Sequence, residues 1–224
     1  EIREITAPHG MVLNGTIQTV ELTYAGQEVA ITETAGNLYN ERQKVKISLS
    51  KVLEQNELFG IGMNGELKNI TFGLYAKTDL VADDGTVIPA GGLIEIVTFD
   101  DNGMATVSAD LPLGSYYLQE RSTDEHYILD DTHYGFEFSY GSQETTVVEI
   151  SVNDGVPIKN DLKYGMISSR KVDEDGHVIA GAIFGLFRND ENEYTAENAY
   201  LTAESAQDGT FKFEKVPFGT WVVR

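Results

Sequence analysis

In each of three strand-like segments, the last residue of an otherwise apolar face is polar. Side chains of a β-strand alternate between two faces, so every second residue shares a face. The faces concerned are Val45-Ile47-Leu49-Lys51, Tyr116-Leu118-Glu120 and Val156-Ile158-Asn160. Lysine and glutamate are rarely buried unless they are paired, because an unpaired buried charge is costly. Either each residue reaches solvent at a strand end, or the three side chains meet inside the fold.

An amine, a carboxamide and a carboxylic acid that meet out of water could carry out one reaction. Desolvation penalises the charged forms of lysine and glutamate, which favours a neutral, nucleophilic amine. The carbonyl carbon of Asn160 is the electrophile, and protonated Glu120 could hydrogen-bond to that carbonyl and pass protons to departing ammonia. Because the fold itself holds the reactants together, the expected product is a Lys51–Asn160 amide cross-link. The bond forms once per domain, so we expect self-processing and no enzyme with turnover.

The same residue types recur towards both ends of the chain. The segment from Ile47 to Val52 returns 120 residues later as Ile167 to Val172, which places Lys171 in the position of Lys51. Asn40 stands 11 residues before Lys51, as Asn160 stands 11 residues before Lys171. The segment that begins at Glu4 parallels the segment that begins at Glu120. This recurrence favours a shared role over accidental strand ends.

Further repeated motifs divide the chain into three segments. Phe72-Gly-Leu-Tyr75 returns as Phe184-Gly-Leu-Phe187, and Leu111–Tyr117 returns as Val216–Val222. We predict that residues 45–162 form a complete repeat, residues 1–44 the C-terminal part of a first repeat, and residues 163–224 the N-terminal part of a third. Residues 163–224 of one chain could complete residues 1–44 of another in trans. Alternatively, the partial repeats reflect only where a longer chain was cut.

Strand and turn signals dominate the chain. Segments rich in Val, Ile, Thr, Tyr and Phe are Thr16–Tyr24, Val45–Val52, Thr71–Tyr75, Ser115–Glu120 and Thr145–Val152. Turn-forming Asx-Gly pairs lie at Asn14-Gly15, Asn64-Gly65, Asp84-Gly85, Asn102-Gly103, Asp154-Gly155, Asp175-Gly176 and Asp208-Gly209. This pattern predicts an all-β antiparallel sandwich, with one helical turn near Ala196–Ala206.

The composition argues against several classes of function. The net charge is −20, from 36 acidic and 16 basic residues, whereas nucleic-acid binding needs basic residues. The chain has no cysteine and therefore no disulfide. It has no long apolar run and no signal-peptide pattern, so we expect no membrane contact in this chain. The Asp-rich turns lack the spacing of a calcium loop, and we predict no metal and no cofactor.

The ordered combination of motifs resembles the Cna protein B-type domains of Gram-positive adhesins and sortase-assembled pilins. The motifs are Lys171-Val-Asp-Glu-Asp-Gly176 with Ala180–Phe187, Gly114–Glu120, Glu4–Leu13 and Pro157-Ile-Lys-Asn160. The resemblance covers essentially the whole chain. One departure is the Lys51–Phe72 segment, which is eight residues longer than its counterpart between Lys171 and Phe184.

This resemblance implies a Greek-key, immunoglobulin-like (prealbumin-like) sandwich that carries an autocatalytic isopeptide bond. Transferred position by position, Lys51 would be the amine, Asn160 the acceptor and Glu120 the catalyst. Asp161 is an alternative acceptor, although strand alternation points it outward.

The family pattern assigns matching roles in the partial repeats. Lys171 would be the amine of the third, and Glu4 and Asn40 the catalyst and acceptor of the first. The resemblance also implies an extracellular, cell-surface protein whose cell-wall anchor lies outside this sequence. Its partners would be neighbouring repeats or copies of the same chain, with a host extracellular protein as a further candidate.

Three classes of function follow. The first is a structural stalk or spacer of an adhesin or pilus, and the second is a ligand-binding adhesion module on the same fold. The third is a hydrolase that uses Asp130 and Asp131 near His133. Adjacent strand residues point to opposite faces, and the four histidines form no metal-spaced cluster, so the sequence favours the stalk.

Overall fold

The computed structural model describes residues 1–82, 85–107 and 110–224, so Asp84 of the predicted Asp84-Gly85 turn lies outside the described residues. The described chain is all-β apart from two short 3-10 helices, Glu66–Asn69 and Val152–Gly155. It forms two compact units, Glu1–Asp161 and Leu162–Arg224. Within these residues, no helix has the length and apolar character needed to cross a bilayer.

The described residues of the first unit form ten strands. They are β1 (Lys44–Leu53), β2 (Thr71–Ala76), β3 (Leu80–Val81), β4 (Val87–Ile88), β5 (Leu93–Thr98), β6 (Met104–Val107), β7 (Gly114–Ser122), β8 (Tyr134–Phe138), β9 (Val147–Ser151) and β10 (Ile158–Asn160). One sheet has the order β10-β1-β6, with β9 also paired to β1, and the other has the order β5-β2-β7-β8. Strands β3 and β4 form a small hairpin.

Strand β1 has two parallel partners in succession. Strand β9 pairs with its first half, from Lys44 to Ser48, and β10 pairs with its last residues, from Lys51 to Leu53. The Val152–Gly155 turn between these partners contains three residues with positive φ, Asn153, Asp154 and Gly155. This turn lets the last strand resume beside β1, which places Asn160 opposite Leu53 and close to Lys51.

The predicted alternation of buried and exposed residues holds along the strands that carry the polar trio. In β1, Val45, Ile47 and Leu49 are buried, and Lys51 continues the same face. The inward residues of β7 and β10 follow the same pattern up to Glu120 and Asn160. Val156 is an exception, because it precedes β10 and is exposed. The core of the unit is formed by apolar residues of both sheets, among them Ile47, Phe72, Leu74, Leu118 and Ile158.

The first 43 residues make only isolated bridges, and the predicted strand Thr16–Tyr24 is wrong. Its single bridge joins Gln18 to Ile2. Apolar side chains of the segment stay in solvent, with Leu22 66% and Tyr24 80% exposed. The β-favouring residues of this segment lack neighbouring strands to pair with, and propensity alone does not hold a strand together.

The second unit contains β11 (Gly165–Arg170), β12 (Ile183–Arg188), β13 (Leu201–Glu204), β14 (Thr210–Val216) and β15 (Trp221–Val223). Strand β11 pairs with β14, and a second sheet has the order β13-β12-β15. The helical turn predicted near Ala196–Ala206 is wrong, because Leu201–Glu204 is a strand paired with β12. Pairing across the sheet stabilises this segment more than a local helical preference does.

Candidate functional site

The structure brings Lys51, Glu120 and Asn160 together in the core of the first unit. Lys51 comes from β1 and Asn160 from β10 of one sheet, whereas Glu120 comes from β7 of the facing sheet. The exposed fraction is 1% for Lys51, 1% for Asn160 and 3% for Glu120. These three residues are called the complete site below.

The amide group of Asn160 is oriented by the atoms around it. Its nitrogen lies 2.9 and 3.0 Å from the two carboxylate oxygens of Glu120 and donates a further hydrogen bond of 2.8 Å to Thr123 Oγ1. Its oxygen therefore faces Lys51, whose Nζ donates to it. The same Nζ lies 3.2 Å from Glu120 Oε1. Glu120 thus contacts both the amine and the amide nitrogen that would leave.

The position of Glu120 differs in one respect from the sequence-based expectation. We expected its acid proton to reach the carbonyl oxygen of Asn160, but the carboxylate lies on the nitrogen side of the amide. Sheet geometry explains the difference, because Lys51 approaches along β1 from the oxygen side. The arrangement fits proton transfer between the two nitrogens better than it fits oxyanion stabilisation.

The electrostatic surroundings disfavour a charged lysine. Burial lowers the pKa of Lys51, and the nearby Glu120 carboxylate opposes this shift without cancelling it. The Nζ also lies 5.4 Å from the centroid of the Phe72 ring, which forms an apolar wall of the site. A lowered pKa increases the share of neutral amine, which is the nucleophilic form.

A second layer of hydrogen bonds fixes Glu120. The backbone N–H of Asp130 donates to Glu120 Oε2 at 2.7 Å, and the Asp130 carboxylate accepts from the hydroxyl of Tyr134 at 2.5 Å. Burial would raise the pKa of Asp130, but hydrogen bonds from Thr132 and Tyr134 outweigh it and lower the pKa. Asp130 is therefore held as an anion while its backbone N–H positions Glu120.

Sequence reasoning missed Thr123 and Tyr134. Thr123 lies just beyond the end of β7, in a loop where alternation carries no information about direction. The only feature of the sequence that could have indicated Thr123 is its closeness to Glu120. Tyr134 begins β8 and belongs to a face that is only partly buried, so its pattern indicates ordinary packing.

Glu4 and Asn40 form a second pair with a similar frame. The amide nitrogen of Asn40 lies 2.5 Å from Glu4 Oε2 and 2.8 Å from the carbonyl oxygen of Val12. The backbone N–H of Asn14 donates to Glu4 Oε2 at 2.7 Å, as Asp130 does for Glu120. Both side chains are partly buried, and among the described residues no lysine forms an ion pair with Glu4. This pair is called the half-site below.

Lys171, the predicted amine of the third repeat, lies in the second unit directly after β11. Lys171 is half-buried. Among the described residues, its side chain makes no ion pair. Of the predicted site residues, the structure thus assembles one trio and one Glu–Asn pair, and Lys171 lies in the other unit.

Comparison with known families gives the chain a place among surface-protein domains. The family model of the SpaA prealbumin-like fold domain matches residues 61–155 and 165–224, together more than half of the chain. The chain belongs to this family. The predicted resemblance to pilin and adhesin domains of Gram-positive bacteria is confirmed, as is the all-β, prealbumin-like fold. The first matched stretch of the SpaA-type domain contains Glu120 and ends before Asn160.

Among solved structures, the Bacillus anthracis TIE protein has the same fold as this SpaA-type chain. The Bacillus anthracis TIE protein is similar with a TM-score of 0.61 and 20% identity over 99% of this chain and 35% of that protein. A streptococcal ancillary pilin is 20% identical over 97% of this chain and 66% of that one, with a TM-score of 0.34. The shaft pilin SpaA from Lactobacillus rhamnosus GG is 13% identical over 81% of this chain and 86% of that one, with a TM-score of 0.33. The chain spans about a third of the length of the TIE protein. No curated protein matches the chain in sequence.

The other polar residues singled out in the sequence have structural partners in the SpaA-type fold. Asp161 points outward and pairs with Lys159 at 2.6 Å, as alternation predicted. His133 stacks on Tyr117 with ring centroids 4.3 Å apart. The Asp130 carboxylate accepts a hydrogen bond from the Tyr134 hydroxyl, and within the described part of the chain no ion pair joins His133 to Asp130 or Asp131.

One group of potential metal ligands occurs among the described residues. Asp173, Asp175 and His177 are exposed, and their ligand atoms lie within 4.8 Å of one another. The Asp173 carboxylate accepts the backbone N–H groups of Asp175 and His177, at 3.0 and 2.8 Å. This is the bonding of an ordinary Asx turn, and it accounts for the cluster without a ligand.

Proposed function

We propose that this chain is a structural segment of a Gram-positive pilus or surface adhesin, and that its complete sandwich is locked by a Lys51–Asn160 isopeptide bond. The supporting observation is the buried contact of an amine, an acid and an amide at 1–3% exposure. Membership of the SpaA-type family supports the cell-surface role. The proposal includes one complete repeat between two partial ones and self-processing in place of enzymatic turnover.

The geometry supports a short series of proton transfers. The neutral Lys51 amine attacks Cγ of Asn160, and a new C–N bond forms. The proton lost from Nζ passes to Glu120 Oε1, 3.2 Å away. Glu120 then delivers a proton to Nδ2 of Asn160, 2.9 Å from Oε1, the Cγ–Nδ2 bond breaks and ammonia leaves. Exclusion of water prevents hydrolysis of Asn160 from competing.

The position of this bond suits a stalk that carries tension. The chain enters the complete sandwich at the start of β1 and leaves it after β10. Because these strands are parallel, entry and exit lie at opposite ends of β1, about 30 Å apart at ~3.3 Å per residue. A covalent bond between Lys51 and Asn160 joins the entry strand to the exit strand. Pulling on both ends would then load this bond before it loads the hydrogen bonds of either sheet.

The intact mass of the purified chain tests the proposal. Each Lys–Asn bond releases one ammonia, so the wild-type chain should weigh about 17 Da less than its sequence mass. A protease digest should contain one branched peptide that joins Lys51 to Asn160, and Lys51→Met should restore the full mass. Lys46→Met is the matched control, because Lys46 is an exposed lysine of the same strand. A wild-type chain at full mass with unbranched peptides would refute the bond.

A further inference from the structure

Three stacked rings lie on the outer face of the sheet β5-β2-β7-β8. Strand alternation turns Tyr75 of β2 and Tyr117 of β7 away from the core, and His133 lies just before β8. The ring centroids of Tyr75 and Tyr117 are 5.0 Å apart with planes 12° from parallel, and those of Tyr117 and His133 are 4.3 Å apart at 14°. Both tyrosines are partly exposed and His133 is exposed. These three rings, called the aromatic stack below, therefore form a surface that a ligand can reach.

The aromatic stack is held in place from both ends of Tyr75. An added Cβ on Gly73 would lie 2.5–2.7 Å from three atoms of the Tyr75 side chain, so the ring lies over the bare backbone of this glycine. At the other end, Nη1 of Arg121 donates to the Tyr75 hydroxyl at 3.0 Å. Side chains that are already fixed lose little conformational entropy when a ligand binds. The stack is therefore a preformed surface.

Two basic side chains without an ion pair flank the aromatic stack. Residues 45–162 include six lysines and arginines, and four of them form ion pairs with acidic residues. Among the described residues, the other two, Lys77 and Arg121, form none. Arg121 contacts Tyr75, and the Lys77 amine lies 3.8 Å from where a Cβ on Gly135 would be, in the residue pair that Gly135 forms with Tyr117. In a chain with a net charge of −20, this face is locally basic.

In the second unit, the matching face is covered by the chain itself. Phe187 lies over Gly185 as Tyr75 lies over Gly73, since an added Cβ on Gly185 would overlap the Phe187 ring. Residues 189–200 link β12 to β13 and cover this face. Their Tyr194 packs against Phe187 with ring centroids 5.1 Å apart at 76°, and Phe187 is only 3% exposed. The aromatic residue on this face therefore accepts a tyrosine ring as its neighbour.

The covering segment of the second unit is acidic and is held by basic residues. Residues 189–200 include four acidic residues, two tyrosines and no lysine or arginine. Arg188 of β12 pairs with Asp190 at 2.6 Å, and the Arg224 guanidinium lies 5.1 Å from the centroid of the Tyr194 ring. Guanidinium groups bind both carboxylates and aromatic faces. The second unit thus shows what kind of segment this face can hold.

The corresponding link of the first unit leaves the aromatic stack partly exposed. This link, residues 77–92, joins β2 to β5, and its β3–β4 hairpin buries Leu80 in the core. Beside the stack, Leu93 and Ile96 of β5 pair with β2 and are 45% and 44% exposed. An apolar surface with a charged rim is typical of protein-binding sites, and tyrosine and arginine are enriched in them.

We propose that the outer face of the first unit binds an acidic, tyrosine-containing peptide segment of a partner protein, as the second unit holds its own residues 189–200. The tyrosine of the partner packs against the aromatic stack, and its carboxylates pair with Lys77 and Arg121. The binding is non-covalent and does not depend on the Lys51–Asn160 bond. It adds an interaction surface to the sandwich, and the complementary charges select the partner.

A synthetic peptide with the sequence of residues 189–200 is the probe that tests this inference. Fluorescence anisotropy of the labelled peptide, titrated with the full chain, should show saturable binding that weakens as salt screens the charges. Tyr117→Ala should weaken binding by about tenfold or more, as loss of a central aromatic contact does. A Lys77→Gln, Arg121→Gln double variant should weaken it by roughly tenfold through two exposed ion pairs. Lys44→Gln is the matched control, because Lys44 is exposed and begins a strand of the other sheet.

Control peptides and chains define the outcomes. A peptide with both tyrosines changed to alanine, and one with its four acidic residues changed to the amides, should each lose most of the binding. A Lys51→Met chain should bind the probe as the wild type does, which separates this inference from the cross-link. The double variant keeps the test valid if Tyr117→Ala disturbs the fold. Absence of saturable binding, or binding that survives both sets of substitutions, would overturn the inference. Self-association of the chain that Tyr117→Ala abolishes would also overturn it, because a second copy would then occupy the face.

Discussion

The complete site and the half-site share a hydrogen-bond frame and differ in what surrounds it. In both, a glutamate accepts from an asparagine amide and from a backbone N–H ten residues further along, at 2.7 Å in each case. The complete site is nearly dry, whereas both residues of the half-site are partly exposed. The comparison shows that a short local segment builds the frame, while the rest of the sandwich provides the amine and excludes water.

The amide nitrogen has a different second partner in each site. In the complete site, Asn160 donates to the hydroxyl of Thr123. By sequence register, Ala7 takes that position in the half-site, and Asn40 donates to the carbonyl oxygen of Val12. The complete site therefore holds its acceptor with a side chain, and the half-site holds it with backbone.

The largest expected difference between the two sites is the effect of removing the acid. Glu120→Gln should block the Lys51–Asn160 bond, which closes a loop of 109 residues. By the loop-closure model such a bond stabilises by about 4–5 kcal/mol, which corresponds to a melting temperature roughly 10–20 °C higher for a unit of this size. Scanning calorimetry of the wild-type and Glu120→Gln chains measures the difference, and intact mass confirms the missing bond.

Glu4→Gln is the matched control for this experiment. It removes the same group from the half-site and should leave both the Lys51–Asn160 bond and the main melting transition unchanged. Equal losses of stability in the two variants would mean that Glu120 acts only as a packed residue.

A smaller difference should follow from Thr123. Thr123→Ala gives the complete site the residue that Ala7 provides in the half-site, and Asn160 loses one hydrogen bond. Loss of a bond of about 1–1.5 kcal/mol from the reactive orientation should slow cross-linking roughly tenfold. Acid-quenched samples from cell-free synthesis, weighed over time, give the rate. Thr123→Ser should retain the wild-type rate, because it keeps the hydroxyl, and equal rates for all three chains would remove Thr123 from the positioning role.

Much of this fold and the contents of its core site could be predicted from residue alternation and recurrence. The faces that end in Lys51, Glu120 and Asn160 follow a period of two, which the backbone enforces along any strand. The match of Ile47–Val52 with Ile167–Val172 indicated a repeated strand; β1 contains the first segment, and β11 covers the second as far as Arg170. These features were predictable because they depend on spacing within single strands.

The features that could not be predicted from the sequence depend on which strands and side chains face a residue in the folded chain. Thr16–Tyr24 has strand-forming residues but no neighbouring strand, so the segment makes only the single Gln18–Ile2 bridge. The side of the Asn160 amide that Glu120 contacts is set by the packing of two sheets, since Lys51 occupies the oxygen side. Thr123 lies in a loop, where the direction of a side chain is set by how the two sheets of the sandwich pack together.

The smallest effect that separates the sites is a pH dependence confined to the complete one. In an Asn160→Ala chain, Lys51 cannot react, and its amine stays buried with a pKa lowered from 10.5 by desolvation, against the opposing attraction of Glu120. Between the lowered pKa and 10.5 the unfolded chain binds more protons than the folded chain, so the free energy of unfolding should rise with pH across this window. Below the folded-state pKa both states carry the proton, and Lys51 contributes no slope. Denaturant unfolding at a series of pH values measures the slope, and a Lys51→Met, Asn160→Ala chain should lack this contribution. Parallel pH profiles for the two chains would show that Lys51 remains fully charged in the fold, and the buried amine would then lack the neutral form that the cross-linking reaction requires.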